Sequence, residues 1–141
     1  MNAAVLLAHE IGHNWFADAD VDTWEDWLNE TGAEWAALLY ALHLGDEELF
    51  TRELESSTSG YANTPAIKTS DGSRPYEGVH SRGTALFYSI YLKYGADTVL
   101  WLLQTLAELS TPTTAYFISA VKAQRPELAE YIEYGLTAIS Y

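Results

Sequence analysis

Ala8-His9-Glu10-Ile11-Gly12-His13-Asn14-Trp15-Phe16, then Trp24-Glu25-Asp26-Trp27-Leu28-Asn29-Glu30-Thr31-Gly32-Ala33-Glu34-Trp35, read as two successive helices with polar groups in metal-ligand spacing. An α-helix repeats every 3.6 residues, so His9 and His13 lie one turn apart on one face, where two imidazoles can grip one zinc ion. Glu10, one residue further round, sits beside the metal's open position. Seventeen residues after His13, Glu30 is the candidate third ligand from a separate element. Two histidines, a glutamate and a water make a hydrolytic zinc site rather than a closed structural one.

Working outward, residues 2–16 read as a helix whose two faces do different jobs. Ala4, Leu7, Ala8, Ile11 and Trp15 form an apolar stripe at helical spacing, away from His9 and His13. Gly12 lowers helix propensity, which implies a close neighbour there. Asp18, Asp20 and Asp22 mark a polar turn; the glycine and closing glutamate of a calcium loop are missing. A second helix is predicted over 24–44, with Trp27, Thr31, Trp35, Leu38 and Leu42 as its buried stripe and Glu30 and Glu34 one turn apart on the shoulder. His43 reads as a residue of that helix's end. Asp46-Glu47-Glu48 opens a third helix, to about residue 56.

Residues 57–79 crowd Ser, Thr, Gly, Asn and Pro together and read as a long loop of the kind that carries function. Four further helical patterns follow. Gly83, Leu86, Phe87, Ile90, Tyr91 and Tyr94 share the face of a helix over 81–94. Val99, Leu102, Leu103, Leu106 and Leu109 define the next, and Thr114, Phe117, Ile118 and Val121 another, stopped by Pro126. Leu128, Tyr131, Ile132, Leu136 and Ile139 define the last. With no strand pair, repeat or low-complexity tract, the reading is an all-α, bundle-like domain of about six or seven helices over residues 1–141.

Twenty acids against seven bases leave a net charge of −13, which argues against nucleic acid or an anionic membrane as partner. The apolar runs are too short to cross a bilayer. The absence of cysteine removes disulfides and thiolate ligands. The first residues run straight into the zinc motif without the charged start or cleavage site of a signal peptide, and are read as the beginning of a piece of a longer protein.

His-Glu-Ile-Gly-His-Asn-Trp-Phe followed by Trp-Leu-Asn-Glu-Thr-Gly-Ala-Glu-Trp resembles the aminopeptidase N family of gluzincin zinc peptidases. Members typically read His-Glu-x-x-His-x-Trp-Phe, then Trp-Leu-Asn-Glu-Gly-Phe-Ala. The resemblance implies one zinc ion held by His9, His13 and Glu30, with Glu10 as general base. A third block, Tyr76-Glu77-Gly78-Val79-His80-Ser81-Arg82-Gly83, is similar to the family's Tyr-x-Lys-Gly segment, whose tyrosine donates to the oxyanion. Aligned on Gly83, that position holds His80, and the nearest tyrosine is Tyr76; either side chain can stabilise an oxyanion. Glu34 is a candidate for orienting a ligand histidine through its far N–H, or else for a surface ion pair.

The chain also departs from the family. The gap from His13 to Glu30 is about two residues short, which a deletion in the Asp-rich turn absorbs. The Gly-x-Met-Glu-Asn segment that binds a substrate's amino terminus is absent, as is the upstream sheet that aligns peptide. The expectation is therefore the helical part of a catalytic domain. It would hydrolyse peptide or protein substrates by metal-assisted attack of water, and would pair with a missing domain or self-associate. The alternatives are another gluzincin, acting as an endopeptidase or on a non-peptide amide, or a non-catalytic zinc-binding or decayed fragment.

Overall fold

The described residues, 2–138 of a computed structural model, contain seven α-helices, and no strand occurs among them beyond an isolated bridge between Thr23 and Ser73. In chain order they are α1 (Ala3–Gly12), α2 (Trp27–His43), α3 (Glu47–Thr58), α4 (Gly83–Tyr94), α5 (Ala96–Ala107), α6 (Thr114–Gln124) and α7 (Pro126–Thr137). The all-α reading holds. The expected Ile139 contact lies outside the described residues.

The helix ends follow the local chemistry. Asn2, Asp46 and Thr113 cap α1, α3 and α6 by accepting from Ala4 N, Leu49 N and Tyr116 N at 2.8, 2.9 and 3.1 Å. Pro126 occupies the first turn of α7, where its missing N–H costs nothing. Two boundaries differ from the pattern-based expectation. A 3₁₀ turn, Trp24–Asp26, precedes α2, and α1 stops at Gly12 rather than near residue 16. After Gly12 the chain turns, and Phe16 swings into the core with 7 % of its surface exposed.

The α2 helix is the hub, packed against α1, α3, α4 and α5. Its expected stripe is its buried face: Trp27, Thr31, Trp35 and Leu38 are buried and Leu42 partly so. Trp27 meets Phe87 and Phe117 edge-on, at ring separations of 6.1 and 6.3 Å, and its indole N–H donates to Thr114 Oγ1. Trp35 donates to the Thr84 carbonyl. Truncating either tryptophan to alanine would cost about 3–5 kcal/mol.

The α1 stripe behaves otherwise. Leu7, Ile11 and Trp15 are exposed, with Trp15 at 64 %. The reason is that α1 docks on α2 through its small side. Val5 and Gly12 are its buried residues, and a Cβ on Gly12 would stand 3.0 Å from Ala33 Cα. Close approach needs the glycine there, so the bulky stripe is turned outward.

The loop before α4 is anchored at both ends. Ile67 is fully buried, and Lys68 N donates to the Leu136 carbonyl. The buried Arg82 guanidinium donates to the carbonyls of Thr64 and Ala138, tying the loop and the end of α7 to the start of α4. Gly78–Arg82 forms a π-turn running into α4.

Candidate metal centre

Two crossings over α2 assemble the site. Gly12 lets α1 settle against Ala33, just past Glu30 on α2. On the other side Gly83 lets the π-turn settle against Thr31, so tightly that a Cβ would fall 1.9 Å from Thr31 Oγ1. Glu30 thus sits between α1, which carries His9 and His13, and the π-turn, which carries His80.

His9, His13 and Glu30 offer ligand atoms that all lie within 4.8 Å of one another. His9 Nε2 stands 3.2 Å from His13 Nε2 and 3.4 Å from Glu30 Oε2, and His13 Nε2 stands 3.7 Å from Glu30 Oε1. Ligands at normal bond lengths from a tetrahedral zinc are separated from each other by roughly 3.3 Å, so this triangle has the right size.

The outer nitrogens fix the tautomers. His9 Nδ1 lies 2.7 Å from Glu34 Oε2, and His13 Nδ1 lies 2.8 Å from the Phe16 carbonyl. Both partners only accept, so each Nδ1 carries its proton and each Nε2 faces inward, where it offers a lone pair to a metal once it gives up any proton it holds. With both Nε2 atoms deprotonated, two converging lone pairs and a carboxylate repel one another unless a cation lies among them. The donor set fits zinc.

The electrostatics agree. Burial works against a charge on His9, but hydrogen bonds to Glu30 and Glu34, and the charges of both, more than offset it; its pKa is pushed up to about 9. Burial would raise the Glu30 pKa, yet hydrogen bonds from His80 and His9 hold that carboxyl well below the usual range. The centre favours a positive charge, whether proton or metal.

A cleft of about 410 Å³ opens over these atoms, lined by Leu6, Glu10, Ser57, His80 and Thr84 together with His9, His13, Glu30 and Glu34. Glu10 is exposed on its wall. His80 also lines it, with Nδ1 3.2 Å from Glu30 Oε2 and Nε2 3.5 Å from Arg74 Nη2. Arg74 is itself clamped by buried Asp26 at 2.7 Å. Tyr76 is 70 % exposed and is not among the residues lining the cleft; its ring packs edge-on against His80 and under Arg74. His43 lies exposed at the end of α2.

Three partners escaped the reading of the sequence. The Phe16 carbonyl is backbone and leaves no residue-type signal. Arg74 acts across 48 positions, from inside the loop. Ser57 donates to Glu34 Oε1; its only trace is a polar residue where the spacing of Phe50 and Leu54 calls for an apolar one.

A rice (Oryza sativa subsp. japonica) protein described as aminopeptidase M1-A is 36 % identical to this chain over 77 residues, a stretch covering 52 % of the chain and 8 % of that protein. Thus about half of the chain is related to a small part of an aminopeptidase. No protein-family model matches the chain, and no solved structure matches it.

Proposed function

We propose that the chain carries the zinc centre of an aminopeptidase N-like metallopeptidase, with His9, His13 and Glu30 as ligands. The observation that carries this reading is the convergence of two inward-facing Nε2 atoms and the Glu30 carboxylate while both Nδ1 atoms are held from behind. The partial likeness to aminopeptidase M1-A supports the peptidase class. Zinc held there supplies a Lewis acid that polarises a scissile carbonyl and makes water more acidic.

The side chains around the cleft divide the remaining work. Glu10 takes a proton from the attacking water and delivers it to the leaving amine as the C–N bond breaks. Glu34 and the Phe16 carbonyl keep the two imidazoles aimed. Of the two candidate oxyanion donors, His80 is assigned the role because it lines the cleft; it would act through its Nδ1–H released from Glu30, since its Nε2 faces the donor Arg74, with Tyr76 supporting the ring. Peptide or protein is the substrate class.

Amino-acyl p-nitroanilides and internally quenched peptides, incubated with the zinc-loaded chain, test the reading. Hydrolysis that falls at least about a hundredfold in Glu10→Gln is expected. Hydrolysis undiminished by Glu10→Gln would remove the general base, and with it the mechanism.

A further inference from the structure

Glu34 is 5 % exposed, and a carboxylate that far from water needs a donor on each oxygen. Oε2 has His9 Nδ1 at 2.7 Å, and Oε1 has the Ser57 hydroxyl. The placement of Ser57 follows from α3. Phe50 and Leu54, 6 % and 4 % exposed, anchor that helix in the core, with the Phe50 ring against Trp35 and Tyr91. Residues 50, 54 and 57 fall on one helix face, so Ser57 continues the buried side by one turn and reaches the wall of the cleft.

We propose that Ser57 is a positioning residue of the metal centre: by holding Glu34 Oε1 it locks the carboxylate that aims His9 Nε2 at the ligand triangle. The proposal rests on the zinc reading above. It adds a third member to the chain Ser57–Glu34–His9 and makes α3 part of the site. Without the hydroxyl, Oε1 loses its donor and the carboxylate is free to turn. The Nδ1 contact then loosens, and the ring that it orients loosens with it. Losing an outer partner of this kind typically costs 10–100-fold in metal affinity.

The test uses the full chain with the metal alone as probe. Zinc affinity is measured by competition with a chromophoric chelator, and coordination is followed by the visible absorption of the cobalt-loaded chain. Ser57→Ala is expected to weaken zinc about tenfold and to change the cobalt spectrum, with helix content by circular dichroism unchanged. Ser57→Thr, which keeps the hydroxyl, is expected to restore both. Ser56→Ala, at an exposed neighbour, leaves both as in the parent.

Parent affinity and spectrum in Ser57→Ala would overturn the proposal. Equal weakening in Ser57→Ala and Ser57→Thr would also overturn it, by assigning the effect to packing. Glu30→Ala is run alongside. A sharp loss in Glu30→Ala beside an unaffected Ser57→Ala defeats Ser57 alone. No loss in Glu30→Ala defeats the metal centre itself.

Discussion

His80 does two things at once, and the two can be separated. Its Nδ1 holds the Glu30 carboxylate at 3.2 Å, and its ring forms part of the cleft wall. His80→Ala is therefore expected to weaken zinc about tenfold. Even in zinc-saturated protein it should lower turnover by about a hundredfold, the usual loss for an oxyanion donor. Tyr76→Phe should leave both near the parent, since the exposed Tyr76 meets the centre through the His80 ring. Steady-state kinetics at saturating zinc decide it: a larger loss in Tyr76→Phe would exchange the two roles. At this scale the sequence was legible where spacing alone sets geometry. His9 and His13 share a face because they are four apart, and Glu34 follows Glu30 by the same interval. Contacts made by a backbone oxygen or across a loop, such as Phe16 to His13 and Arg74 to Asp26, have no such interval to read.

Two of the close approaches that build this centre, at Gly12 and Gly83, occur where side chains are nearly absent. Gly83 is the tighter case. Alanine there gains up to about 1 kcal/mol of helix propensity. It also drives a methyl into Thr31 Oγ1, and overpacking of that kind costs about 1–3 kcal/mol. The clash is expected to win, with Gly83→Ala losing about 1–2 kcal/mol in urea unfolding. Thr31→Ala removes the clashing oxygen, which has no hydrogen-bond partner among the described residues, so the double variant should recover most of the loss. A Gly83→Ala protein as stable as the parent would mean that the α2–α4 contact is looser than described. Helix existence was readable from periodicity throughout. The π-turn was not, because an extra residue in a turn leaves the apolar pattern of α4 intact. The outward turn of the α1 stripe was not readable for a related reason: periodicity identifies an apolar face without saying what covers it.

At the scale of the molecule, the same stripe leaves an apolar groove formed by Ala4, Leu7, Ile11, Trp15 and Tyr40 with their small neighbours, and none of its lining residues carries charge at neutral pH. On a chain of net charge −13, an uncharged patch of this kind favours association. Light scattering is expected to show a mass that rises with concentration, and a Leu7→Lys, Trp15→Lys double variant should abolish the rise. A parent that stays monomeric at every concentration would contradict the expectation. Fold class and the clustering of His9, His13 and Glu30 were legible together because both rest on one signal, apolar periodicity interrupted by His, His and Glu at fixed intervals. The central claim is that this triad is one metal centre, and it is tested most directly by zinc content and affinity of the chain beside Glu30→Ala. One zinc per chain that binds at least about tenfold more weakly in the variant is the expected result. Zinc that fails to bind, or that binds equally well without Glu30, would contradict it.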